Sequence, residues 1–196
     1  LSKVTVGPSR EEGIYFSTEN GLFPISSAHV EEKSRLTGSR LPDGTVVRTA
    51  EHLLAAIAGL DIDSAVIALE GEEVPILDGS PYPFAIALYG AGIVEFGETA
   101  KKRTIHTPIA IDDITGNRSI MALPSERLMI TYVIDYPGTP IGTQRASYEL
   151  LPEVFVETIS RARTFGLVSE LDYLKNNGLA KGGSLDNALM FDEKGL

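Results

Sequence analysis

At 196 residues, 43% of them hydrophobic, the chain is long enough to bury one generous core or two modest ones of about a hundred residues each. Seventeen Lys plus Arg against twenty-seven Asp plus Glu give a net charge of −10, and no basic cluster with interleaved aromatics stands against it, which argues against nucleic acid and anionic membrane surfaces as partners. The absence of cysteine removes disulfides and every thiolate ligand or nucleophile, so any metal must be held by His, Asp or Glu. No apolar run approaches the ~18 residues of a membrane span, and the opening "LSKVTVGP" lacks the basic start and apolar stretch of a signal peptide. A cytoplasmic protein without an integral membrane segment is expected. Starting at Leu1 and stopping at "MFDEKGL", the chain reads as a piece of something longer.

In chain order, "KVTV" and "GIYF" predict short strands around the turn-rich "GPSREE", and "GLFPIS" adds a strand whose proline suits a sheet edge. After the Pro-Asp-Gly turn of "LPDGTVVR", Thr49 is the expected N-cap of a helix through Ala58, with Gly59 at its stop. Leu53, Leu54, Ile57 and Ala58 supply a buried face at helical spacing. "SAVIALEG" predicts a buried strand, and "EEVPILDGSPYPFAIALYGAGIVEF" predicts strand, turn, helix and strand.

Around "GETAKKRTIHTP" the apolar periodicity lapses and charge, Gly and Pro collect, so a domain boundary is expected near residues 99 to 107. The second unit carries strand candidates "SIMAL" and "RLMITYVIDY", then "QRASYEL", a helix from Pro152 with Glu153 and Glu157 on its polar side, and "ARTFG". A helical "LVSELDYLKNNG" and a strand "NALMF" follow. Strands and helices mix without the alternation of a doubly wound fold, which points to α+β layers. "RTAEHLLAAIAGLDIDSAVIAL" and "RTFGLVSELDYLKNNGLAKGGSLDNALMF" share an order of elements, so two similar halves or a chance echo are both open.

Four places invite chemistry, and each has a plain structural alternative. Glu51 and His52 stand side by side at the first turn of the expected helix. The helix dipole alone favours an acid there by a few tenths to about 1 kcal/mol. A zinc hydrolase needs about three protein ligands, and neither His29 nor His106 lies at an i, i+4 spacing from His52. "ILDGSPYPF" is an Asp-Gly turn feeding a proline-started helix. "ARTFG" either places the Thr164 hydroxyl at a strand end facing a cleft or simply ends a strand. The glycine turn of "LAKGGSLDN" exposes amides beside Lys181, a plausible anion contact and also a common turn.

Taken together and in this order, "TAEHLLAAIAGLDIDSAVIALEGEEVPILDGSPYPF", "ISRARTFG" and "LDYLKNNGLAKGGSLDNALMFDEKGL" resemble the zinc-dependent UDP-3-O-acyl-N-acetylglucosamine deacetylases of lipid A biosynthesis in Gram-negative bacteria. The similarity runs from about residue 13 to the end and is weakest at 97 to 150. It implies an α+β fold of two domains of similar topology, 1–103 and 104–196. Each would be a helix layer on a β-sheet, with their helices facing one another and the active site between. It also implies a β-α-β insertion at about 165–190 that walls a passage for the substrate's acyl chain.

By the same resemblance, His52 is the first zinc ligand, Glu51 the general base that takes a proton from the zinc-bound water, and Thr164 the hydroxyl that supports the tetrahedral oxyanion. Such a base is worth ~10² to 10⁴-fold in rate, and zinc lowers its water's pKa to about 7. The implied substrate contacts are Phe165, Gly166, Leu167, Leu171, Leu179, Lys181 and Gly182, with Val168 and Leu174 among further apolar residues of the passage. Some of these would line it and others would hold the helix down. Imidazole and carboxylate ligands suit Fe²⁺ as well as Zn²⁺.

The family's His-Lys-x-x-x-Asp segment, which carries two further ligands and a lysine, its later histidine and its opening "GxGxHxG"-like segment are all absent from these residues. The expectation is therefore an amidohydrolase that performs the committed step of lipid A biosynthesis, of which these 196 residues alone bind zinc weakly and turn over little substrate. The rival is a truncated, inactive homologue that binds an acylated nucleotide sugar or a protein partner. The sequence carries no clear signature of an oligomer, and a monomer is expected.

Overall fold

The structure is a computed structural model that describes residues 2–30, 37–97, 99–101, 103–113, 115–176 and 182–196. Its first half is built on a four-stranded sheet of β1 (Lys3–Pro8), β2 (Gly13–Thr18), β3 (Gly21–Pro24) and, later in the chain, β7 (Ser64–Glu70), in the order β1-β7-β2-β3. β7 runs antiparallel to β1 and parallel to β2, so Ile67 lies between Val6 and Phe16 at the centre of the sheet. Ile67 is 0% exposed and Phe16 2%. Among the described residues β3 pairs only with β2, and Pro24 ends it on the outer edge, where a missing N–H costs no ladder bond.

A second, antiparallel sheet follows, of β4 (His29–Val30), β5 (Gly38–Arg40) and β6 (Val46–Arg48). The Pro-Asp-Gly turn closes its last hairpin: Gly44, at φ 89°, donates to Leu41 O, and Asp43 accepts from the Thr45 amide. α1 (Glu51–Gly59) leads from there to β7. Its buried residues are Leu53, Ala56, Ile57 and Gly59, with Leu60 just past the end, a stripe at i, i+3, i+4 and i+7. Burying a Leu or Ile side chain of this kind is worth about 1.5–3 kcal/mol.

Several expectations fail here for physical reasons. Ala58 faces solvent, because the stripe runs through Ala56 instead. Thr49 is not the N-cap: Ala50 occupies that position with no side-chain cap, while Thr49 sits at φ 57° with its hydroxyl donated to Glu73. Gly59 remains inside the helix, and the left-handed residue after it is Asp61, at φ 56°. Gly59 is required by packing, since a Cβ there would lie 2.2 Å from Cγ of Phe155.

α2 (Tyr82–Ala91) starts after Pro81, as its prolines predict. The strands expected on either side of it are not formed. Among the described residues, 72–80 make a connector touching β6 through a single parallel bridge, Arg48 to Glu73, and 92–96 have no ladder partner. Hydrophobicity alone does not make a strand when the backbone has no neighbour to pair with.

The second half contains two antiparallel hairpins, β8 (Ile109–Asp113) with β9 (Arg118–Ala122) and β10 (Met129–Tyr136) with β11 (Gly142–Glu149). Apolar residues such as Ile111, Ile120 and Tyr132 are exposed on them. α3 (Pro152–Glu157) is followed by a short 3-10 turn at Ile159–Arg161. Then come β12 (Phe165–Leu167), a second 3-10 turn at Val168–Glu170, α4 (Leu171–Asn176) and β13 (Leu189–Phe191). The helix expected from Leu167 therefore begins at Leu171. β12 and β13 pair in parallel with α4 between them, a β-α-β unit. Strands and helices are mixed throughout, in the α+β class expected. The main hydrophobic cluster lies in the first half, and Phe155 of α3, 3% exposed, joins it by packing on Gly59.

Candidate functional site

α1 opens on Glu51 and His52, so both sit in the helix's first turn, where the dipole favours the carboxylate. The Glu51 side chain is 45% exposed and that of His52 13%, with Oε1 of Glu51 4.0 Å from Nε2 of His52. That separation is too long for a hydrogen bond. Among the described residues neither the imidazole nor the Glu51 carboxylate has a hydrogen-bond partner, which leaves both available to a ligand. The start of α1 is set by Thr49, whose amide donates to Thr37 O at 2.9 Å and whose hydroxyl donates to Glu73 at 2.9 Å.

The connector 72–80 carries that support onward. At one end Arg48 N donates to Glu72 O and Val74 N to Arg48 O. At the other, Asp78 accepts from both the amide and the hydroxyl of Ser80, and the Ser80 hydroxyl accepts from the Tyr82 amide at the start of α2. Ser80 is 1% exposed, so these bonds satisfy a group that burial would otherwise penalise. "ILDGSPYPF" is thus a turn and a helix start.

Thr164 lies just before β12, half-buried. Its amide donates to Gly79 O at 2.7 Å, its carbonyl accepts from the Leu189 amide at 2.9 Å, and its hydroxyl has no partner among the described residues. Glu51 and His52 make no hydrogen bond to Thr164 among the described residues; the connector bonds to Arg48 and Thr49, just ahead of α1, at one end and to Thr164 at the other. Sequence periodicity missed this joint, and the signal that could have found it is Gly79, at φ 81° in the only Asp-Gly of its turn.

The remaining residues lie on the β-α-β unit. Phe165 packs edge-on to Tyr136 and Phe191, with ring centres 5.5 and 6.1 Å apart, and lines an apolar cavity of about 170 Å³ with Ile134, Ile141, Gln144, Leu189 and Phe191. Gly166 and Leu167 follow on β12 and Leu171 starts α4, but none of the three lines that cavity. The Gly182 carbonyl accepts from the Asn187 side chain, and the amides of Ser184, Asp186 and Asn187 are spent on bonds within the same turn. Leu179 and Lys181 lie outside the described residues, as does the side chain of Leu174.

No three His, Asp or Glu side chains gather into a metal-binding group among the described residues. His52 alone therefore falls short of the three ligands a zinc hydrolase uses. No helix among the described residues is long and apolar enough to cross a membrane.

Comparison with known proteins places the chain plainly. It is 41% identical over 172 residues to a UDP-3-O-acyl-N-acetylglucosamine deacetylase of Saccharophagus degradans, covering 87% of this chain and 56% of that protein. To proteins of the same name it is 38% identical over 195 residues in Oleidesulfovibrio alaskensis, covering 97% and 63%, and 45% identical over 151 residues in Nitratidesulfovibrio vulgaris, covering 77% and 48%. The chain thus spans between about half and three-fifths of the length of these curated relatives. The model of one family, described as UDP-3-O-acyl N-acetylglycosamine deacetylase (LpxC), matches residues 1–196, and the chain belongs to that family.

Proposed function

We propose that the protein carrying this sequence removes the N-acetyl group from a UDP-3-O-acyl-N-acetylglucosamine, the reaction for which its relatives are named. The observation that carries this reading is the family match over all 196 residues. Glu51 accepts a proton from the attacking water, and oxygen adds to the acetamide carbonyl carbon. The Thr164 hydroxyl donates to the resulting oxyanion. The C–N bond then breaks as the nitrogen takes up the proton removed from the water, leaving acetate and a free amine. Oxyanion donors act where charge develops, so Thr164 would govern turnover more than binding.

His52 is one ligand of a divalent metal, Zn²⁺ or Fe²⁺, whose bound form would polarise water and carbonyl. The described residues do not fit a complete centre, since they supply no group of three donors. Little turnover is therefore expected of these 196 residues alone. Phe165, Gly166, Leu167 and Leu171, with Leu179, Lys181 and Gly182, are the substrate-binding stretch; the apolar cavity beside Phe165 supports an acyl chain there. The units 1–103 and 104–196 divide within 92–108, a run with no helix or strand among its described residues. A cytoplasmic monomer completes the reading.

A second reading, a homologue that binds an acylated nucleotide sugar or a partner protein without turnover, is favoured by the lack of further donors grouped with His52 among the described residues. Metal content and deacetylation, measured on the native protein and on its Glu51→Gln and His52→Ala variants, separate the two. The hydrolase reading expects a loss of about 10²- to 10⁴-fold for Glu51→Gln with metal retained, and loss of metal for His52→Ala. Full activity in Glu51→Gln removes Glu51 as the base. A native protein that neither holds metal nor releases acetate is the binding homologue.

A further inference from the structure

Arg163, beside Thr164, makes no ion pair with a carboxylate among the described residues. Its half-buried guanidinium instead donates to two main-chain carbonyls, from Nε to Asp78 O at 2.8 Å and from Nη2 to Leu185 O at 3.1 Å. These carbonyls belong to the two segments that flank Thr164, the connector 72–80 and the turn before β13. The Thr164 amide takes the next carbonyl along, Gly79 O, at 2.7 Å. Residues 163 and 164 therefore grip residues 78 and 79 through consecutive carbonyls, which fixes their register.

Gly79 closes the joint. At φ 81° it holds a conformation that disfavours a side chain, and a Cβ would stand 2.0 Å from Asn187 O and 3.3 Å from Cγ2 of Thr164. Three chain segments meet there without space for one more carbon. The connector's other end holds Thr49 through Glu73, two residues before Glu51.

We propose that Arg163 is a positioning residue for Thr164: its fork ties the Asp78 and Leu185 carbonyls together and so sets where the Thr164 hydroxyl, without a partner among the described residues, points relative to the start of α1. This rests on the reading of Thr164 as the oxyanion donor. A guanidinium suits the task because its N–H groups are rigidly splayed toward two acceptors, whereas one lysine ammonium is a compact point charge on a flexible stem. Reacting groups tolerate about 0.5 Å of misplacement, and a shift of 1 Å costs on the order of 10²-fold in rate.

The test is steady-state deacetylation by the native protein and its Arg163→Lys, Thr164→Val and doubly substituted forms. Thr164→Val is expected to lower kcat by about 10²- to 10³-fold. Arg163→Lys should lower kcat by roughly 10- to 100-fold with KM within about twofold, and metal content should be unchanged. In the Thr164→Val background it should cost less than about threefold, because the group it positions is gone.

Multiplicative losses in the double variant, a loss confined to KM, or unchanged kcat in Arg163→Lys would each overturn the role of Arg163 while leaving Thr164 in place. Unchanged kcat in Thr164→Val would overturn the Thr164 reading, and this inference with it. Should Arg163→Lys fail to fold, Arg163→Ala assayed with added guanidinium takes its place. Rescue of kcat is expected with Thr164 present and absent with Val at 164, and equal rescue in both backgrounds overturns the proposal.

Discussion

Replacing Gly59 with alanine should destabilise the fold even though it improves the local helix. The new Cβ would stand 2.2 Å from Cγ of Phe155 and 2.4 Å from both Cδ atoms. Ordinary contact begins near 3.4 Å, so the ring has to retreat by more than an ångström, and at 3% exposure Phe155 has little room to do so. Overpacking of this kind costs about 1–3 kcal/mol. Alanine returns about 0.5–1 kcal/mol through its lower backbone entropy in the helix. The balance is a loss of up to about 2.5 kcal/mol, read as a lower urea midpoint with m unchanged.

The partner experiment isolates the cause. Phe155→Ala alone should cost about 3–5 kcal/mol, but within it Gly59→Ala has nothing to strike and should stabilise by about 0.5–1 kcal/mol. A reversal of sign between the two backgrounds is therefore expected. If Gly59→Ala stabilised the unsubstituted protein, or destabilised both backgrounds equally, the close approach of α1 and α3 would not be what the glycine serves.

Thr49 gives a second test. A β-branched residue at φ 57° is strained by about 1–3 kcal/mol, and its hydroxyl offsets part of this through Glu73. Thr49→Val keeps the strain and loses the bond, so its melting temperature should fall, while Thr49→Asn, which tolerates this backbone, should hold or rise; a Val form melting at or above the Asn form would refute the account. The third concerns acid. The Thr45 amide, with help from Thr18 and Asn20, lowers the pKa of Asp43 to about 2, and the Thr115 hydroxyl, the Gly116 amide and Arg118 do the same for Asp113. A depressed carboxyl pKa contributes stability that is complete above the unfolded value, near 3.8, and is lost as pH falls toward 2. Removing either carboxylate, as Asp43→Ala or Asp113→Ala, should flatten the pH dependence of stability between about pH 4 and 2 and leave its shape above pH 5 unchanged. An equally steep acid limb in both variants would place the lost stability elsewhere.

What the sequence disclosed follows from where the deciding interactions lie. "SAVIALEG" was legible as a buried strand because its own residues carry the pattern, and the fit of Ile67 between Val6 and Phe16 only completes it. Pro24 and the prolines of α2 act through local sterics, so their positions were readable too. Gly59 and Thr49 were misread for the opposite reason. Each carries a local signal, a helix stop and a cap, that a partner distant in sequence overrides: Phe155 in one case and Glu73 in the other. "EEVPIL" and "GIVEF" have strand-like composition, but pairing is a property of the neighbour, and among the described residues they have none beyond the bridge at Glu73.

The site divides along the same line. The adjacency of Glu51 and His52 is a fact of sequence, and the helix that presents them was predictable from spacing. The placement of Thr164 is not, because it depends on backbone bonds to Gly79 and Leu189 and on carbonyls that any residue type could offer. Only the residues intolerant of substitution leave a trace: a glycine at positive φ with no room for a Cβ, and an arginine reaching two carbonyls at once. In this chain the chemistry-bearing side chains are written in short motifs, while their mutual position is held by main-chain contacts that the motifs do not encode. A variant at Gly79 should therefore disturb turnover while every proposed catalytic side chain remains in the sequence.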